Sequence, residues 1–67
     1  MTVATQLKTA IASLKSAQAS FETFALNTQN QQAKTMFTNA AQQTQNIIDQ
    51  VNPRLQQIEK EEPQYKS

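Results

Sequence analysis

Phe21-Glu22-Thr23-Phe24-Ala25-Leu26-Asn27-Thr28-Gln29-Asn30-Gln31-Gln32-Ala33-Lys34-Thr35-Met36-Phe37 is the stretch on which the fold turns. It contains the end of one helical stripe, a polar break over Asn27-Thr28-Gln29-Asn30, and the start of a second stripe. With no glycine in the chain, Asn27 is the candidate for a left-handed residue at a helix end, because asparagine tolerates that conformation. Thr28 followed by Gln31 has the spacing of a capping box, and Asn30 is an alternative N-cap. Either cap predicts a tight turn.

On the N-terminal side of the break, Val3, Leu7, Ala10, Leu14, Ala17, Phe21 and Phe24 recur at alternating spacings of four and three. On the C-terminal side, Phe37, Ala41, Thr44, Ile48, Val51, Leu55 and Ile58 do the same. That period marks the seam of a coiled coil or helical bundle. The fold expected is all-α, an antiparallel two-helix hairpin over residues 1–63, with helix one at about 2–27 and helix two at about 29–62. If partners across the seam have numbers summing to 58, Val3 meets Leu55, Leu7 meets Val51, Ala10 meets Ile48 and Phe21 meets Phe37. The hairpin core expected is therefore Leu7, Leu14, Phe21, Phe24, Phe37, Ile48, Val51 and Leu55.

Pro53 opposes a long second helix, since proline lacks the N–H and clashes with the carbonyl four residues back, at about 3 kcal/mol. Asn52-Pro53 could instead open a separate short helix. The seam nevertheless keeps phase from Val51 through Leu55 to Ile58, which favours one helix kinked near Pro53. Pro63 is expected to stop it and to leave residues 64–67 as a flexible tail.

Composition removes most chemistry. The chain has no cysteine, histidine, glycine or tryptophan. A Ser-His-Asp triad, a thiolate nucleophile, an ordinary zinc site and a phosphate-cradling glycine loop are all excluded. No cofactor is expected, and no enzyme. Net charge is +1, divided as +2 over residues 1–34 and −1 over residues 35–67. Without a basic stripe, nucleic-acid binding is not expected. The longest apolar runs are fragments such as Phe24-Ala25-Leu26, so direct membrane insertion is not expected either. A soluble intracellular protein is the natural expectation.

The carboxylates are Glu22, Asp49, Glu59, Glu61 and Glu62. Glu59 and Glu62 share a helix face, but a solvated charge run explains them better than a metal site, which needs buried convergence. Lys8 with Asp49 and Glu22 with Lys34 are expected surface ion pairs. The 12 Gln and 5 Asn are interleaved with heptads, so they read as polar helix surface. Glu61-Glu62-Pro63-Gln64-Tyr65-Lys66 reads as a helix stop with a loose end; the sharper alternative is a docking tail with Pro63 and Tyr65 as its contacts.

A lone hairpin leaves one side of each seam wet. Apolar residues also lie beside the seam: Ala4, Ile11 and Ala25 on helix one, and Ala33, Met36, Ala40 and Ile47 on helix two. Soluble monomers tend to avoid such a patch. A homodimer closing a four-helix bundle is expected, with Ile11, Met36, Ala40 and Ile47 in the self-association surface and higher assembly as a weaker possibility.

Thr2-Val3-Ala4-Thr5-Gln6-Leu7-Lys8, Leu14-Lys15-Ser16-Ala17-Gln18-Ala19, Gln32-Ala33-Lys34 and the Glu61–Lys66 stretch together resemble the family called domain of unknown function 1657 (DUF1657). The resemblance spans essentially the whole chain. The segment from Ala25 to Lys66 is also similar in style to helical halves of ferritin-like spore-coat proteins from endospore-forming Firmicutes, although the chain lacks their ligand set. The resemblance implies a spore-former, a link to sporulation or spore resistance, a forespore or spore location, and a spore protein or membrane protein as a partner. It names no catalytic residue. The function expected is a non-catalytic structural or interaction protein. The alternative is a small amide-rich spore-core protein with a nucleic-acid-associated or storage role.

Overall fold

The structure, a computed structural model, describes residues 3–61. Two helices, α1 (Val3–Asn27) and α2 (Gln31–Glu61), pack against each other as an antiparallel hairpin joined by residues 28–30. The expected boundaries at Thr2, Glu62 and Pro63, and the tail over 64–67 with Tyr65, lie outside the described residues. The molecule is a rod of 50 × 18 × 10 Å with a radius of gyration of 15.3 Å. A compact domain of this length would have a radius of about 11 Å.

Alanine, leucine, methionine, glutamine, glutamate, lysine and arginine are good helix formers, and together they fill most of both helices. The threonines, weaker formers, hold their hydroxyls inside the helix. Thr9, Thr23, Thr38 and Thr44 each donate to the carbonyl four residues earlier. The amides run along the surface in pairs four apart: Gln18 donates to Glu22, Gln42 to Asn46 and Gln45 to Asp49. Pro53 sits inside α2, which is one uninterrupted helix and not two. Pro53 and Asp49 are both exposed, so the Asp49 carbonyl that loses its partner can bond to water.

The turn is built without a left-handed residue. Among the described residues none has a positive φ, Asn27 included. The Thr28 N–H instead donates to the Phe24 carbonyl at 3.0 Å, extending the helical pattern one residue past α1. The Asn30 N–H then donates to the Thr28 hydroxyl at 3.2 Å, and the Ala33 N–H to Asn30 Oδ1 at 2.9 Å. Asn30 is therefore the N-cap of α2, and helix two begins at Gln31 instead of 29. At the other side of the turn the Lys34 ammonium donates to the Ala25 carbonyl at 2.7 Å. That contact places a cation at the negative end of α1.

The seam of α2 is as expected: Ala41, Thr44, Ile48, Leu55 and Ile58 are buried, with Phe37 and Val51 half-buried. The seam of α1 is not. Ala4, Ile11 and Ala25 are its buried residues, with Leu7, Leu14, Gln18 and Phe21 half-buried between them. Val3, Ala10, Ala17 and Phe24 face outward. Leu7, Leu14 and Phe21 belong to both possible stripes, so the choice rests on what completes them. Turning Ile11 inward in place of Ala10 buries a larger aliphatic surface mid-helix. Ala4 and Ala25 then allow close approach on either side.

The expected pair Phe21 and Phe37, with numbers summing to 58, does stack at 6.5 Å between ring centroids, but other contacts have larger sums. Helical side chains lean toward their own N-terminus, away from the turn on α1 and toward it on α2. Side chains that meet therefore have larger sums than backbones at equal height. Phe24 meets Phe37 with ring centroids 5.3 Å apart, and Lys8 Nζ reaches Glu59 Oε2 at 2.8 Å rather than Asp49. Asp49 accepts from Gln45, and Lys34 goes to the Ala25 carbonyl rather than to Glu22.

Candidate functional site

The hairpin has two unlike broad faces. One carries shallow grooves along the helix–helix junction. Near the turn, Gln18, Glu22 and Leu26 of α1 and Lys34, Thr38 and Gln45 of α2 line an open groove of about 440 Å³. Farther from the turn, Lys8, Ala12 and Lys15 stand opposite Asn52 on the same side. At 100° per residue, Asp49 and Glu59 fall on this side too. This face is polar and carries both signs of charge.

The opposite face is apolar. By the same helical spacing, α1 turns Val3, Ala10, Ser13, Ala17, Ser20 and Phe24 to it, and α2 turns Met36, Ala40, Gln43 and Ile47. Val3 is 54% exposed, Phe24 48%, Met36 57% and Ile47 45%. Between the turn and Pro53 no charged residue falls on this face; the exposed Arg54, seven residues after Ile47, lies on it at the open end, and Gln6 shares the α1 side. Phe24 packs on Phe37, which stacks on Phe21 at 6.5 Å between centroids, so the rings bridge from the core to this face.

Of the expected core residues, Ile48 and Leu55 are buried, and Leu7, Leu14 and Val51 pack against their cluster from half-buried positions. Phe21 and Phe37 are half-buried, whereas Phe24 is largely outside. Of the expected self-association residues, Met36 and Ile47 are exposed and Ala40 is half-buried. Ile11 is 5% exposed and belongs to the hairpin core, because α1 is turned by one residue. The α1 half of the outer face, Val3, Ala10, Ala17 and Phe24, is thus what sequence patterning assigned to the inside. Pro63 and Tyr65 lie outside the described residues.

For chemistry, the described residues offer no group of three or more His, Cys, Asp or Glu side chains that could hold a metal ion. Thr44, the buried polar residue of the seam, is satisfied by the Ala40 carbonyl at 2.8 Å. No described helix is long and apolar enough to cross a membrane. What the arrangement can do is present a flat strip, largely apolar and uncharged up to Pro53, to another protein surface.

Residues 7–55 match the family described as Protein of unknown function (DUF1657), and the chain belongs to it. No curated protein and no solved structure matches the chain.

Proposed function

We propose that this member of the DUF1657 family is a non-catalytic interaction protein: a helical hairpin that associates with itself through its apolar face, two copies closing a four-helix bundle. The observation that carries this reading is the segregation of the surface. Val3, Phe24, Met36 and Ile47 lie exposed on one side, while Lys8, Lys15, Glu22, Lys34, Asp49 and Glu59 lie on the other. Covering that strip removes large apolar side chains from water and strands no charge from the turn to Pro53, with Arg54 at the open end where water reaches it. The Ile11 position contributes from beneath, inside each hairpin, and Ile47 lies at the surface of contact.

The cellular setting we attach to this role, sporulation or spore resistance with a spore or membrane-protein partner, comes from the family resemblance in sequence. Sedimentation equilibrium tests the molecular part. A dimer that dissociates on dilution, and that Ile47→Asp reduces to monomer, is expected. A well-folded wild-type chain that stays monomeric across micromolar to millimolar concentration would overturn the proposal.

A further inference from the structure

Resting on that self-association, we propose that the two hairpins stack face to face with their turns at the same end, each α1 lying along the partner's α2. A two-fold axis allows two ways to bring these faces together. With turns at opposite ends, α1 meets the partner's α1 and α2 meets the partner's α2. With turns together, the unlike helices meet.

The two halves of the apolar face differ in relief. On α1, the middle of the strip is small: Ala10, Ser13, Ala17 and Ser20. On α2 the middle carries Ile47, 45% exposed, while Met36, 57% exposed, lies nearer the turn. Packing like on like would set a shallow row against itself on one side and a raised row against itself on the other. The two helix pairs would then require different separations, which a rigid hairpin cannot supply. Packing unlike helices sets Ile47 into the shallow row of the partner on both sides at once, with Phe24 beside the partner's Met36 nearer the turns.

The heights agree. Within one hairpin, the rings that meet have numbers summing to 58 (Phe21 and Phe37) and 61 (Phe24 and Phe37). A sum within that range across the two-fold axis brings Phe24 against the partner's Met36. It also brings the partner's Ile47 into the notch between Ala10, Ser13 and Ala17. Met36 and Ile47 are eleven residues apart, as are Ser13 and Phe24, so both contacts form together over about 16 Å of helix. The broad side of the rod has an outline of 50 × 18 Å, about 900 Å², within which the apolar strip lies. A stable interface of standard size uses about 800 Å² on each partner. A second copy fits because this surface is the complement of itself: uncharged from the turn to Pro53, with its own knob at Ile47 and its own notch at Ser13.

The chain has no cysteine, so a single Gln29→Cys at the exposed turn can be spin-labelled cleanly. Turns together place the two labels about 20–30 Å apart, from the helix-layer spacing plus the label arms. Turns at opposite ends place them near the 50 Å length of the rod. A short distance in the dimer is expected. A distance near the rod length would overturn the orientation while leaving self-association intact, and a monomeric, uncoupled sample would overturn both. A size swap gives an independent readout. Ala10→Leu fills the notch and should weaken dimerisation at least tenfold, and adding Ile47→Ala to the same chain should restore it. Failure of that rescue would overturn the contact between unlike helices.

Discussion

Toward the open end of the rod, Ala4, Ile11, Ile48, Leu55 and Ile58 form one cluster in which each is at most 8% exposed. Toward the turn, the buried positions are Ala25, Ala41 and Thr44, and the three phenylalanine rings remain partly wet. The difference lies in the shape of the side chains. A branched aliphatic group is short enough to be closed between two helices. A phenyl ring projects past the seam, and a third surface is needed to cover it. The turn end relies on caps and polar bonds as well: Asn30 on Ala33, Thr28 on Asn30, and Lys34 on the Ala25 carbonyl. One end is held mainly by burial, the other by termination of helices.

The strongest way to break this contrast is Ile48→Ala, at a residue 4% exposed inside the aliphatic cluster. It should cost about 3–4 kcal/mol in chemical denaturation. Phe21→Ala, at a half-buried ring, should cost about 2 kcal/mol, less than a fully buried phenylalanine. A loss equal to that at Ile48 would instead mean that a second copy covers the ring, and it should then grow with protein concentration. Asn30→Ala removes the cap of α2 and should lower stability by about 1 kcal/mol, with Asn30→Asp retaining most of it. The smallest effect belongs to the surface pair at the open end. Lys8 is 53% exposed and Glu59 21%, so Lys8→Ala should change stability by about 0.5 kcal/mol or less at low salt. At 1 M salt no difference should be measurable.

Helix two was legible because its seam is unambiguous: Ile48, Leu55 and Ile58 have no apolar competitors of similar size on the adjoining turns, apart from Ile47. Helix one offered two stripes sharing Leu7, Leu14 and Phe21, one completed by Val3, Ala10, Ala17 and Phe24, the other by Ala4, Ile11, Gln18 and Ala25. Counting apolar letters favours the first, since it contains Phe24 and no Gln18. Packing favours the second, because Ile11 gives the middle of the core its bulk. The turn lies where the polar break places it, with Asn30 as the N-cap, and only the left-handed Asn27 is absent. Without glycine, Asn27 looked like the chain-reversing residue, yet Thr28 and Asn30 reverse the chain with ordinary φ values. The surface pairs depended on side-chain lean, which spacing along a single helix does not contain.

The short turn also sets the order in which the hairpin forms. Phe24 and Phe37 are separated by 13 residues, whereas Lys8 and Glu59 are separated by 51. Closing the longer loop first would cost about 1 kcal/mol more in chain entropy than closing the shorter one. Folding should therefore zip outward from the turn, with the aromatic contacts present at the transition state and the aliphatic cluster completed afterwards. Phe37→Leu should then slow refolding, while Ile58→Val should chiefly hasten unfolding. The end of the rod that buries least is the end that commits the chain to its fold, and the end that buries most decides how long it stays folded.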